Sequence, residues 1–405
     1  MSKPAAAPRI GLALAGGGPL GAIYEIGALC ALDESLAGLR LTQLTGYVGV
    51  SAGGFIAAGL ANAMTPRDLC AAFIENVAED ADLFSPSLLM KPAWGEYLKR
   101  ASSLPTLTAQ AAFQYFFQRR SRLAVFDHLG RALPTGLFSG DAMRERLALI
   151  FAEPGRTDDF RKLQRKLVLV ATDLDSGDAV PFGQPGLDDV PISLAVQASA
   201  ALPGLYAPVE VNGRTCVDGA LKKTLHASVL LDEGLDLLIC LNPLVPFDAT
   251  RAPRRKPLAG NDARIPRLVD GGLPVVLSQT FRSLIHSRLE LGMKGYEQTH
   301  PHTDIVLFEP DHRDAELFLT NTFSLSQRRA LAEHAYQRTR AMLRSRRSAL
   351  GAQLARHGIA IDHAVLDDEH RHLVVRRRRS GASTRTARAL KKLDETLTDL
   401  ESSLD

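Results

Sequence analysis

A chain of 405 residues with 45% hydrophobic content can bury a full α/β core and carry a further helical element. A formal net charge of +3 is too small to imply nucleic acid as a partner, and the basic residues cluster only locally. Cys30, Cys70, Cys216 and Cys240 lie far apart inside predicted helices and strands, which argues against a disulfide framework and for free buried thiols in a reducing, cytoplasmic compartment. Lys3 and Arg9 precede an apolar run that stops too soon to serve as a secretory signal.

Arg9 to Ala15 reads as a buried strand through Ile10, Leu12 and Leu14. It ends in Gly16-Gly17-Gly18-Pro19-Leu20-Gly21, after which Ile23, Ile26, Leu29 and Leu32 recur at helical spacing. A glycine loop at a helix N-terminus offers free backbone N–H groups and a favourable dipole, suited to a phosphate or to the oxyanion of an acyl intermediate. The loop also fits the dinucleotide fingerprint G-x-G-x-x-G, but that fold wants an acidic residue at the end of the second strand. The second strand here runs instead through Val48 into Gly49-Val50-Ser51-Ala52-Gly53. That is a G-x-S-x-G nucleophile elbow: glycines on both sides let the backbone turn sharply enough to present the serine hydroxyl. The plain alternative makes Ser51 a cap for the helix Ala52–Ala63.

Thr65 to Phe160 follows as a helical insertion, rich in aromatics at Phe73, Phe84, Trp94, Tyr97, Phe113, Tyr115, Phe116, Phe117 and Phe126. It reads as sheet-covering helices, with a lid or acyl-chain pocket as the functional alternative. Lys166–Thr172 is a central strand by its continuous apolar run, and Asp173–Asp178 turns into Ala179–Phe182. Val209 to Val217 is a hairpin turning at Asn212-Gly213, and it delivers Asp218-Gly219-Ala220. Leu235–Leu241 is a further buried strand.

Beyond it, Pro246–Gly272 is an exposed loop, Pro274–Gln298 a helix, Asp304–Glu309 a strand and Ser326–Arg356 a long helix. Arg338, Arg340, Arg344, Arg346 and Arg347 give this last helix a basic face, read as solvated or as a docking surface for anionic lipid. Arg376–Arg379 is a basic run before a terminal helix, Ala382–Leu404. The histidines His128, His226, His286, His300, His302 and His312 are scattered, only His300 and His302 being close together, so no metal site is read.

The glycine loop, the elbow at Ser51 and Asp218-Gly219-Ala220, in this order, resemble the patatin-like phospholipases, and Gln197-Ala198-Ser199-Ala200-Ala201-Leu202-Pro203 is similar to the family's segment before the aspartate. The resemblance covers roughly Ile10 to Pro243. It implies a three-layer α/β/α core with a central, mostly parallel sheet, extended by a helical C-terminal region. It also implies a serine acyl hydrolase of lipid carboxylic esters that works without a cofactor. Ser51 would be the nucleophile within the elbow glycines Gly49 and Gly53, Asp218 the partner base followed by Gly219 and Ala220, and Gly16, Gly17, Gly18 and Gly21 the oxyanion loop. Leu20 departs from the family, which often places Arg or Lys there.

A Ser-His-Asp triad remains open, because Ser51, Asp218 and His226 or His286 stand in α/β-hydrolase order. A preference for acyl thioesters or intracellular polyester, and a non-catalytic lipid-binding role, stay open as well. The expected organisation is residues 8–245 as the catalytic domain with 65–160 inserted, 246–272 as linker, 273–357 as a mainly helical region and 358–405 as a basic tail. Expected partners are a lipid or acyl-ester substrate and a membrane surface touched peripherally.

Overall fold

The computed structural model describes residues 7–77, 86–117, 132–251, 267–319 and 325–374. Its centre is an eight-stranded sheet built from β1 (Ile10–Leu14), β2 (Gly46–Val50), β3 (Lys166–Asp173), β4 (Ala179–Phe182), β5 (Val209–Val211), β6 (Arg214–Asp218), β7 (Leu237–Leu241) and β8 (Asp304–Phe308). The order is β8-β7-β1-β2-β3-β6-β5, with β4 paired to β3. The run from β8 to β3 is parallel, and β4, β5 and β6 are antiparallel to their neighbours. Every residue of β1, β2 and β7 is buried, which is why these segments read as continuous apolar runs rather than alternating ones.

Each face of the sheet has its own cover. Ala13, Ala15, Val48, Val50, Val168, Val170, Leu238 and Cys240 point to one side, where Leu225–Leu235 and Leu289 close over them. On the other side α2 (Ala52–Ala61) lies against β2 so closely that a side chain on Gly49 would meet the Gly54 backbone at 2.5 Å. Next to it runs α1 (Gly18–Ser35), whose stretch Ile23–Leu32 is buried throughout, as a helix between two layers must be. The three-layer α/β/α architecture with a mostly parallel sheet is therefore the fold expected from the sequence.

The longer of the remaining described helices are α3 (Trp94–Phe117), α4 (Asp141–Phe151), α5 (Ile192–Ser199), α6 (Gly272–Thr299), α7 (Leu325–Ser345) and α8 (Arg347–Ala355), with helices of four or five residues and turns between them. The hairpin β5–β6 turns through Asn212 and Gly213, both at positive φ (49° and 75°), the geometry that an Asn-Gly turn supplies. The single long helix expected over Ser326–Arg356 is instead two, interrupted at Arg346. Two short pairings went unread: Gly136–Phe138 with Gly204–Tyr206, and Leu36–Ala37 with Ala360–Ile361. The expected terminal helix Ala382–Leu404, the run Arg376–Arg379, Phe84, Phe126, His128 and most of the Pro246–Gly272 loop lie outside the described residues. So do the side chains of Phe113, Tyr115, Phe116 and Phe117. All four cysteines are free and buried.

Candidate active site

Parallel strands of one sheet end at one edge, and β1 and β2 deliver their following loops there side by side. After Val50 the chain turns sharply into α2, and the turn residue is Ser51 at φ 54° and ψ −122°. A non-glycine residue in the left-handed half of the map is strained, and such strain persists only where the surroundings enforce it. Here they do. The Ser51 N–H donates to Ser199 Oγ at 2.8 Å, and Ser199 Oγ in turn donates to the Val170 carbonyl at 2.6 Å. The flanking glycines are sterically required, because a Cβ on Gly53 would stand 2.5 Å from the Ala15 carbonyl oxygen and one on Gly49 would meet α2.

The glycine loop passes directly beside this serine. A Cβ built on Gly16 would lie 3.1 Å from Ser51 Cβ and 3.7 Å from Ser51 Oγ. Gly17, the N-cap of α1, fits between Gly21 and Pro243, each of which a Cβ would approach to 2.6 Å. Gly18 begins the helix at φ 58° with open space around it, and Gly21 also packs under Pro243. Pro243 follows β7, so the neighbouring strand buttresses the loop.

Asp218 closes β6, where the ladder to β3 sets it opposite Ala171. Its backbone N–H donates to the Ala201 carbonyl at 3.0 Å and its carbonyl accepts from the Thr172 hydroxyl at 3.2 Å. The side chain is only 3% exposed, and Ser51 is 5% exposed. Burial pushes the Asp218 carboxyl up to about 6, while hydrogen bonds from the Ser51 hydroxyl and the Ala220 N–H, the latter 2.9 Å long, pull part of the way back. Gly219 follows because a Cβ there would collide with the Val170 carbonyl oxygen at 2.0 Å, and the Ala220 methyl lies against Gly16.

The structure thus brings Ser51, Asp218, Gly16 and Ala220 into one cluster, with Gly17, Gly18 and Gly21 forming the adjoining loop. Histidine is not among the groups that set the Asp218 carboxyl. His226 points its Nε2 at the Gly219 carbonyl, 3.3 Å away, and burial lowers it to about 4, so it is neutral there. His286 lies on α6 beside Glu290 and Glu309. Ser199 is the positioning residue that sequence reasoning did not single out. Its signal was a small polar residue at the end of a mainly apolar helix, inside the segment before Asp218.

A cleft of about 630 Å³ lies apart from this cluster, between α6 and Lys222–Asp232, lined by Lys222, Lys223, Arg288, Leu289 and Tyr296 among others. Among the described residues no helix is long and apolar enough to cross a membrane.

The family model of patatin-like phospholipases matches residues 12–231. Uncharacterised NTE family proteins of Mycobacterium bovis and Mycobacterium tuberculosis are 40% identical over 73 residues, a match spanning 18% of this chain and 19% of theirs. Among solved structures, VipD of Legionella pneumophila aligns at 16% identity and a TM-score of 0.38, over 84% of this chain and 67% of that one. ExoU of Pseudomonas aeruginosa aligns at 15% identity and a TM-score of 0.35, over 86% and 59%. Human GIVD cytosolic phospholipase A2 aligns at 14% identity and a TM-score of 0.33, over 86% and 60%.

Proposed function

The chain belongs to the patatin-like phospholipase family, and we propose that it hydrolyses carboxylic esters of lipids through a Ser51–Asp218 dyad and an acyl-enzyme. The observation that carries this reading is the strained Ser51 whose hydroxyl hydrogen-bonds a buried carboxylate. An unassisted serine hydroxyl is a weak nucleophile, and a carboxylate of ordinary acidity is a weak base; burial raises Asp218 toward the operating pH.

Ser51 Oγ attacks the acyl carbonyl carbon as Asp218 takes its proton. The backbone N–H groups of the Gly16–Gly18 loop, held in shape by Gly21, stabilise the oxyanion. Collapse expels the alcohol, which receives the proton from Asp218 and leaves the acyl group on Ser51. Water then attacks the ester, Asp218 accepts its proton, and Ser51 departs as the protonated hydroxyl. The partners of His226 support a dyad over a triad, since its Nε2 is engaged by a backbone carbonyl.

The insertion between residues 65 and 160 is read as the lid facing the lipid. Support comes from its exposed Trp94, Leu98, Leu133 and Leu137, large apolar side chains that a purely sheet-covering role would bury. The same residues supply the peripheral membrane contact.

The test is a pair of variants on long-chain esters. Ser51→Ala and Asp218→Asn are each expected to lower kcat/KM by at least about 10³-fold, and the double variant by no more than either alone, because the two act as a unit. A fluorophosphonate probe should label wild-type Ser51 only. Labelling of another serine, or a His226→Ala variant as inactive as Ser51→Ala, would overturn the dyad.

A further inference from the structure

Beyond the Ser51 cluster, three side chains from separate segments converge at the C-terminal ends of β7 and β8, on the sheet edge that also carries the glycine loop. His286 comes from the middle of α6, Glu309 follows β8 directly, and His312 lies in the loop after it. One donor atom from each, a nitrogen of both histidines and a carboxylate oxygen, fall within 4.8 Å of one another. The two rings meet edge to face with centroids 4.8 Å apart.

The state of His286 is the second, independent observation. The residue is only 7% exposed, and its Nδ1 is buried without a hydrogen-bond partner. The nearest carboxylate oxygen, Glu309 Oε2, stands 3.9 Å away, too far for a hydrogen bond. A buried ring nitrogen left unpaired costs stability, and such groups call for an explanation.

The opposite nitrogens of both rings are already occupied. His286 Nε2 faces Glu290 Oε1 at 3.4 Å, and His312 Nδ1 pairs with the Pro246 carbonyl at 3.1 Å. The Pro246 carbonyl fixes the proton on Nδ1 of His312 and leaves a lone pair on its Nε2, and the Glu290 carboxylate favours the proton on Nε2 of His286, the tautomer with a lone pair on Nδ1. A histidine held by a carboxylate or carbonyl at its outer nitrogen, with its inner nitrogen free, is arranged as metal-ligating histidines are. Glu309 is steadied likewise, since the Asn242 amide donates to its Oε2 at 3.2 Å.

We propose that His286, Glu309 and His312 form a binding site for one divalent cation of borderline softness, Zn²⁺ being the best match. Two imidazoles and one carboxylate, with a fourth position left to water, is a donor set and coordination number that Zn²⁺ accepts. Tetrahedral ligands at zinc distances stand about 3.3 Å apart, so the donors close by roughly an ångström or less per side chain on binding. Glu309 and Glu290 together balance the charge of the ion. Arg282, one turn before His286 on α6, donates to the Val245 carbonyl and lies over the Phe318 ring, and Arg288 donates to the Leu221 carbonyl. The metal straps α6 to the loop after β8, and through Asn242 to the end of β7. Histidine spacing hides the site in the sequence, because its ligands come from a helix and from a loop more than twenty residues later.

The test uses the full chain, stripped with chelator and titrated with Zn²⁺ alone and with Co²⁺ alone. Expected are one ion per chain, visible Co²⁺ bands of tetrahedral intensity, a rise in Tm on Zn²⁺ addition, and movement of two imidazole ¹⁵N signals. Glu309→Gln and His312→Gln should each weaken Zn²⁺ at least about 100-fold and abolish the Tm rise, while His300→Ala and His302→Ala leave both unchanged. Absence of Zn²⁺ binding at micromolar concentration would overturn the proposal. Equal affinity in the Glu309→Gln and His312→Gln variants would do the same, as would loss in the His300 and His302 controls. The Co²⁺ and ¹⁵N readouts are taken on the wild-type chain, so they decide the matter even if a variant fails to fold.

Discussion

Burial of Asp218 pulls activity and stability in opposite directions over one range of pH. The base must be ionised to accept the Ser51 proton, so log kcat/KM is expected to rise with unit slope up to about pH 6 and then level off. Stability runs the other way. The carboxyl sits near 3.8 in the unfolded chain and near 6 in the folded one, so the folded state holds the proton more tightly. That contribution is fully present below 3.8 and is lost as pH rises through 6; the displacement corresponds to about 3 kcal/mol. Asp218→Asn should therefore flatten the stability profile between about pH 4 and 7 while abolishing turnover. Urea denaturation of both proteins across that window checks it, and parallel profiles for the two would show that Asp218 is not displaced. Glu25, on α1, behaves in the same sense: it is fully buried, and burial raises it well above the ordinary carboxylate range against a smaller downward pull from the Ala15 backbone.

At the scale of elements, helix contact is decided by glycines that a propensity argument would discourage. A Cβ on Gly27 of α1 would stand 2.4 Å from the Ala332 carbonyl oxygen and 3.0 Å from the Ala335 methyl of α7. Gly295 of α6 has nothing within 4 Å of the same position. Alanine normally favours a helix over glycine by up to about 1 kcal/mol, so Gly295→Ala should stabilise by that much. Gly27→Ala should instead destabilise by about 1–3 kcal/mol, because two backbones must separate. Thermal unfolding of the pair decides it, and a gain at both positions would refute the close crossing.

The same contrast explains what the sequence revealed. The strands β1, β2, β3 and β7, the Asn-Gly hairpin and the elbow were legible because each rests on a local pattern: an apolar run, a turn dipeptide, a bracketed serine. Pairings of two or three residues, such as Leu36–Ala37 with Ala360–Ile361, carry no period and were not legible. Ser199 and the cluster of His286, Glu309 and His312 were missed for a related reason. Their meaning lies in contacts between distant segments.

Across the whole molecule, Arg340, Arg344 and Arg347 of α7 and α8 hold the chain's later segments in place. Arg340 is fully buried, and its guanidinium donates to the carbonyls of Val365 and Asp368 at 2.7 Å each and to those of Leu366 and Arg371 at 3.2 Å. Arg344 also reaches the Leu366 carbonyl, Arg347 pairs with Asp367, Arg338 pairs with Asp314, and Arg346 donates to the Leu307 carbonyl. Of the basic face expected from the sequence, Arg340 is thus withdrawn into the interior by the chain that folds back after α8, while Arg338 and Arg346 stay exposed. That returning segment is tied to α1 as well, where Arg371 and the Tyr336 hydroxyl both bond Glu34. Removing a buried cation that satisfies several carbonyls leaves them unpaired, a loss of about 1–3 kcal/mol after the relief from burying less charge. Arg340→Met is therefore expected to lower the urea midpoint by an amount worth about 2 kcal/mol, with the slope of the transition unchanged. Arg346, which is exposed, should change stability by no more than about 0.5 kcal/mol when replaced in the same way. Co-sedimentation with anionic vesicles should be unaltered by Arg346→Met. Equal midpoints for Arg340→Met and wild type, or loss of vesicle binding in the Arg346 variant, would return these arginines to the lipid surface.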